Sequence, residues 1–169
     1  PISADYEWGQ SLEAWIQDNM VSEYGLNVVG SDFTPFGASD YSSPLTTAND
    51  ADPDILMMNM SGTDQITSLP QVESFGLLED TTVVYAATNM GDAQALDQEL
   101  ISHENYYSST PWYWNHDYSD ASREFADQFR ERHPDALMDG YIGCFYAATR
   151  ATLNAIESTG STSLDDLQG

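Results

Sequence analysis

Few stretches of this sequence combine residue types that do chemistry with a spacing that lets them. Asp50-Ala51-Asp52-Pro53-Asp54 carries the alternating acids that open a calcium loop. Such a loop needs a glycine at its sixth position and an acid at its twelfth. Those positions hold Ile55 and Ser61, so calcium is excluded. His103, His116 and His133 are 13 and 17 residues apart, each in a different polar connection, without the close histidine pair of a zinc site. Solvated loop histidines are expected there, and no metal. Gln10-Ser11-Leu12 lacks the glycines of a nucleophile elbow, and no phosphate loop or dinucleotide glycine series occurs. No enzyme activity and no cofactor are therefore expected. Asn59-Met60-Ser61 fits the glycosylation acceptor pattern, which arises often by chance and here ends an apolar run.

What remains is a set of rings and small polar groups: Tyr6 and Trp8, then Ser61, Gly62, Thr63 and Asp64, then Thr88 and Asn89, and last Trp112-Tyr113-Trp114. Rings stack on solutes, and hydroxyls and amides hydrogen-bond them without a charge. Each also has a plain structural use. Trp8 and Trp112 can cover helix ends, and Ser61 and Thr63 can be caps.

Their shared property is position, which the elements around them define. Leu12, Trp15, Ile16 and Met20 recur at helical spacing, with Glu13, Gln17 and Asp18 on the opposite face. Gly25 can end that helix, and Leu26 to Val29 follows as a strand. Asp40-Tyr41-Ser42-Ser43-Pro44 can cap a second short helix, and Asp54 to Met58 is an apolar run suited to burial on both faces of a sheet. Ser61 to Asp64 turns into a helix with Ile66, Leu69 and Val72 inward, Pro70 as an internal irregularity and Gly76 as the stop. A strand at Thr82 to Ala86, a helix over Asp92 to Leu100 and a strand near Tyr106 to Ser109 continue the alternation. Two helices close it. One runs from Ser119 to His133 with Phe125 and Phe129 inward; the other runs from Tyr141 to Ser158 with Ile142, Tyr146, Thr149, Leu153 and Ile156 inward, and Gly160 ends it. The order predicts an α/β fold over residues 1–169: an open, mostly parallel, doubly wound sheet with helices on both faces. Ligands of such sheets bind outside the carboxyl ends of the strands, and each group named above follows a strand. Tyr6 is expected there as an exposed ring, because the core face of its helix begins only at Leu12.

Composition narrows the partners. The 169 residues are 41% hydrophobic, enough for one ordinary core. Twenty-eight acids stand against four cations, a net charge of −24, and there is no lysine. Arg123, Arg130, Arg132 and Arg150 make no basic stripe, so nucleic acid and anionic membrane are poor partners. No apolar run approaches the roughly 20 residues of a membrane span. Cys144 stands alone in an apolar run, where a buried, inert thiol is expected. So acidic a surface repels itself less as the Debye length falls from about 10 Å at 0.1 M salt to about 3 Å at 1 M. Adaptation to strong salt is expected, over an acidic surface kept for solubility alone.

At Asp5-Tyr6-Glu7-Trp8-Gly9-Gln10-Ser11 the sequence resembles the periplasmic-type solute-binding proteins for branched-chain amino acids, amides and urea, whose second lobe commonly opens with an Asp-Tyr-x-Trp/Tyr-Gly series. Val29-Gly30, Phe36-Gly37, Asp40-Tyr41-Ser42-Ser43, Pro53-Asp54, Phe75-Gly76-Leu77, Tyr146-Ala147-Ala148 to Ala155-Ile156 and Thr159-Gly160-Ser161 continue it in order over nearly the whole chain. The resemblance implies a receptor without catalytic activity that closes two α/β lobes on a small solute and presents it to an ABC permease in the membrane. This chain is then one wall of the cleft, a second lobe separated from its first, in an extracellular or cell-surface protein whose anchor lies upstream. The same fold also serves sensors coupled to signalling. The resemblance places a ligand-stacking aromatic at Tyr6 with Trp8 nearby, and further contacts at Ser61, Gly62, Thr63 and Asp64. In amino-acid binders an acid after the next strand grips the ligand ammonium. The matching stretch here is Ala86-Ala87-Thr88-Asn89, with no acid before Asp92. A buried ammonium without a partner charge is costly, so Thr88 and Asn89 suit a neutral, amide-like solute unless Asp64 supplies the charge.

Overall fold

The computed structural model describes residues 1–167, which form two compact units, Pro1–Thr110 and a second from Pro111 onward. The first is built on five parallel strands: β1 (Ile2–Ala4), β2 (Asp32–Thr34), β3 (Ile55–Asn59), β4 (Thr82–Tyr85) and β5 (Tyr106–Ser108), in the order β2-β1-β3-β4-β5. Sequential strands run outward from β1 to β2 and then return past it to β3, so the order reverses between β1 and β3. In sheets of this kind the crevice at that reversal is where ligands sit. The register keeps the strand ends level: Ser3 pairs with Phe33 and Asn59, Met58 with Tyr85, and Tyr85 with Ser108.

One face of the sheet carries the core. Ile2, Ala4, Leu56, Met58, Val83 and Tyr85 point toward Tyr41 and Leu45 of the α3 region (α3, Ser42–Asp50) and Leu69 and Val72 of α4 (Thr63–Ser74), all buried. The other face takes α1 (Glu7–Trp15), which continues through a π-helical turn, Ile16–Met20, into α2 (Val21–Tyr24). The expected alternation holds, with two departures in the strands. Ile55 is exposed and Met57 only half-buried, so β3 is not covered on both faces throughout. Leu26 to Val29 is not a strand either. β2 begins at Asp32, because its only neighbour is the three-residue β1, and the register sets Ile2 against Asp32 with the Asp32 N–H on the Pro1 carbonyl at 3.0 Å. Pairing, not β-branching, decides where an edge strand starts.

The first helix also departs from its pattern. A Cβ on Gly9 would lie 2.1 Å from the Ala4 carbonyl oxygen, so this glycine lets α1 press onto β1 and turns the Gly9, Glu13 and Ile16 side inward. Trp15, expected inside, is 50% exposed, and Glu13, expected outside, is buried. The helix expected over Asp92 to Leu100 is two, α6 (Met90–Ala95) and α7 (Gln98–Ile101), because the Asp97 carboxylate accepts the Glu99 N–H at 2.8 Å and starts a new helix there. Between α4 and β4 lies α5 (Leu77–Asp80), entered through Gly76 in the left-handed region.

The second unit holds α8 (Asp120–Arg132), α9 (Gly140–Thr159) and α10 (Leu164–Leu167). Ser119 and Asp139 cap α8 and α9 with their side chains, and Gly160 ends α9 with φ +68°. Phe125 stacks on Tyr146 at 3.8 Å, which accounts for the inward Phe125 and Tyr146. Thr149 and Leu153, read as inward, are exposed, since packing in this unit engages α9 on the Tyr146 side. Cys144 is likewise exposed rather than buried, because it falls beside Phe145 on the outer side of α9.

Candidate functional site

Three groups of side chains meet at the carboxyl edge of the first unit's sheet. At β1 the chain turns straight from strand into α1, with the Tyr6 N–H on the Ala4 carbonyl at 2.8 Å. Tyr6 stands at the helix start, stacks on Trp8 at 6.3 Å and meets Phe36 edge-on at 5.1 Å. Tyr6 and Trp8 are both half-buried. The exposed ring expected at Tyr6 is thus partly covered, because the close seat of α1 on β1 draws it against the core and the loop after β2 brings Phe36 to its edge. Phe36 is the aromatic that motif reading left out of the site. It is 70% exposed, at the end of β2, beside Tyr6. The available signal was its place in Pro35-Phe36-Gly37, a turn between strand and helix whose glycine has φ +77°.

At β3, Met60 is buried, Ser61 and Gly62 are half-exposed and Thr63 is exposed. Gly62, with φ +62°, starts α4 in a conformation that L side chains avoid. Asp64 lies one residue inside the helix, buried, and its carboxylate accepts the Gly37 N–H at 2.9 Å. The hydroxyl of Tyr41 is buried beside it, and burial together with the Asp64 charge pushes that phenol well above its ordinary pKa. Asp64 therefore fastens the Phe36-Gly37 loop to α4.

At β4, Thr88 and Asn89 are half-exposed. Asn89 stands at the start of α6, where its N–H donates to the Asp92 carboxylate at 3.4 Å. The Thr88 hydroxyl accepts from the amide of Gln65 in α4 at 2.6 Å and touches the hydroxyl of Ser108 at the end of β5. Neighbouring strands lie about 4.8 Å apart, so two steps from β1 to β4 set the ring wall and the hydroxyl wall about 10 Å apart, with Ser61 to Thr63 between them. That interval suits a small solute. Asp64 is buried with its carboxylate on the Gly37 N–H, and the Asn89 side-chain oxygen is buried at the start of α6.

The second aromatic group, Trp112-Tyr113-Trp114, packs within its own unit. Trp112 lies where a Cβ on Gly143 would fall 2.3 Å from its ring, and its indole N–H donates to Ser122 at 3.0 Å; Trp114 lies under Arg130, 4.4 Å from the guanidinium carbon. Histidine surroundings differ as well. His103 is half-buried and accepts the Asn105 N–H, whereas exposed His116 packs edge-on against Tyr118 at 4.4 Å and exposed His133 lies 5.0 Å from Phe129. No group of three His, Cys, Asp or Glu among the described residues is placed to hold a metal. At the opposite, amino edge of the sheet a groove of about 380 Å³ is lined by Ile16, Met20, Leu26, Ile55 and Met57.

A carboxyl-edge site on a β2-β1-β3-β4-β5 sheet is shared by many folds, and the sequence-family match decides among them. The model of the periplasmic binding proteins matches residues 2–168. The chain belongs to that periplasmic binding protein family. Members are solute-binding receptors rather than enzymes, and the family implies a periplasmic or extracellular location. A periplasmic binding protein from Burkholderia mallei is similar over 98% of this chain and 43% of its own, at 26% identity and a TM-score of 0.77. The same fold recurs in a branched-chain amino acid ABC transporter periplasmic ligand-binding protein from Burkholderia xenovorans (23% identity, 98% and 43% coverage, TM-score 0.76). It recurs again in an amino acid ABC transporter substrate-binding protein from Pseudomonas fluorescens (22%, 99% and 43%, 0.75). This periplasmic binding protein chain thus spans less than half the length of the solved structures it matches. No curated protein matches it. No helix among the described residues is long and apolar enough to cross a membrane.

Proposed function

We propose that this chain forms one wall of the interlobe cleft in the extracellular solute-binding receptor of an ABC transporter. Its solute is small and polar, of the class of branched-chain amino acids, amides and urea, and its macromolecular partner is the permease. The observation that carries this reading is the level row of Tyr6, Phe36, Ser61, Thr63 and Thr88 at the carboxyl ends of adjacent strands, on the side where the strand order reverses. Rings at one end and hydroxyls at the other suit a solute with an apolar part and an uncharged polar part. Within that class the uncharged members fit this wall best, since Asp64 is buried and accepts the Gly37 N–H, and Asp92 accepts the Asn89 N–H. The other half of the contacts belongs to a first lobe, which in the proposed receptor faces this wall. A ligand that binds only the folded state raises the melting temperature by mass action. Melting of the intact protein in multimolar salt, with and without amino acids, amides, urea and small carboxylates, is therefore the test: a rise is expected with at least one neutral solute, and no rise with any of them refutes the receptor reading.

A further inference from the structure

One hydrogen-bonded chain runs from the core to the surface at the ends of β4 and β5. Its inner end is Gln65, fully buried in the first turn of α4, whose amide nitrogen donates to Thr88 Oγ1 at 2.6 Å and to Tyr106 Oη at 2.8 Å. Its outer end is Ser108, exposed, whose Oγ is hydrogen-bonded to Thr88 Oγ1. The inner end fixes the first donations, and Tyr106 selects the direction of the next. Both N–H protons of the amide thus have acceptors, and of its three hydrogen-bonding positions only the oxygen has no partner among the described residues. Turning the amide over would leave two buried N–H protons unpaired, the costlier omission. Thr88 Oγ1 thus accepts from Gln65, and the Tyr106 hydroxyl, 3.3 Å away, can donate to it as well. With Tyr106 on its second lone pair, Thr88 gives its single proton to Ser108, whose own proton is left with a long bond to the Ser109 carbonyl or with an acceptor outside. The Ser109 carbonyl is 3.5 Å away, while the Ser109 hydroxyl turns back onto the Ala86 carbonyl at 2.6 Å. Each donation polarises the next group, so the exposed end is a strengthened donor.

We propose that this relay is a carbonyl-binding subsite, in which Ser108 donates to the oxygen of a neutral carboxamide or urea-type solute. The proposal rests on the receptor reading and sharpens its solute class. An ammonium offers only donors and cannot satisfy a donor. A carboxylate could accept the bond, but residues 1–110 contain no lysine or arginine to balance its charge.

The test is calorimetry on the intact protein in multimolar salt with acetamide, urea, acetate and ethylammonium as probes. Acetamide and urea should bind about tenfold or more tighter than the two ions. Ser108→Ala, at an exposed position, should weaken acetamide about tenfold with an unchanged melt. Gln65→Glu replaces the inner donor with an acceptor, reverses the relay and should shift preference toward ethylammonium. Should that variant fail to fold, Thr88→Val breaks the relay at similar size and should reproduce the Ser108→Ala loss. Equal acetamide binding by wild type and Ser108→Ala, or ions bound as tightly as acetamide, overturns the relay and leaves the receptor standing. No heat from these probes or from free amino acids overturns both.

Discussion

Glu13 is, with Asp64, one of two buried acids among the described residues. Its carboxylate accepts from Ser3 at 3.0 Å, Ser31 at 2.6 Å and Gln17 at 3.0 Å, and Asn59 donates to Ser3 at 2.9 Å, so one acid ties α1 to β1, β3 and the approach to β2. Removing it leaves two hydroxyls and an amide without this partner. Glu13→Leu should lower unfolding free energy by roughly 1–3 kcal/mol in denaturant titrations, and Glu13→Gln by less, because it keeps an acceptor. Two buried phenols give the chain a pH limit. Burial raises the pKa of Tyr85, whose hydroxyl is hydrogen-bonded to Ser68 at 2.8 Å, and burial with the Asp64 charge raises that of Tyr41. A phenol whose folded pKa is raised contributes stability that is whole below its unfolded pKa, about 10, and is lost as pH climbs toward the folded value. Stability should therefore fall above about pH 10, with these two tyrosinates appearing only as circular dichroism is lost. Tyrosinate absorbance from both in a fully folded chain would contradict their burial.

Among elements, the seat of α1 on β1 governs the site most directly. The added methyl of Gly9→Ala meets a backbone carbonyl at 2.1 Å, and backbone yields poorly. The variant should lose about 1–3 kcal/mol of stability in thermal melts and shift the Tyr6 and Trp8 rings that precede it. The same glycine explains where sequence reading stopped. Elements with long periodic patterns, such as α4, α8 and α9, and apolar runs, such as those of β3 and β4, could be read from spacing, because hydrophobic period and turn residues decide them. The inner face of α1 could not, since a close approach at Gly9 outweighs the apolar stripe and carries Glu13 inward. Short β2 is decided by its pairing partner. In the candidate site, strand-end position was legible for Tyr6, Ser61 and Thr88, whereas Phe36, Gln65 and Ser108 enter through contacts across 20 or more residues that no local pattern encodes.

At the scale of the whole molecule, charge and cleft make separate predictions. The four cations all lie beyond residue 122, and the 28 acids crowd a small surface. Salt that shortens the Debye length from about 10 to about 3 Å should relieve that repulsion, so the melting temperature should rise steeply between dilute buffer and molar potassium chloride. A flat profile would remove the case for adaptation to salt. The central claim, that the ring and hydroxyl wall holds a solute, is tested most directly at Phe36, whose 70% exposure frees it from the core. Calorimetry on the intact protein in multimolar salt, run on wild type and Phe36→Ala across amino acids, amides, urea and small carboxylates, measures it. The account predicts binding of at least one neutral solute, weakened by about 1–3 kcal/mol in Phe36→Ala, with stability changed by no more than about 0.5 kcal/mol. Absence of binding heat from every solute, or equal affinity in the two proteins, would contradict it.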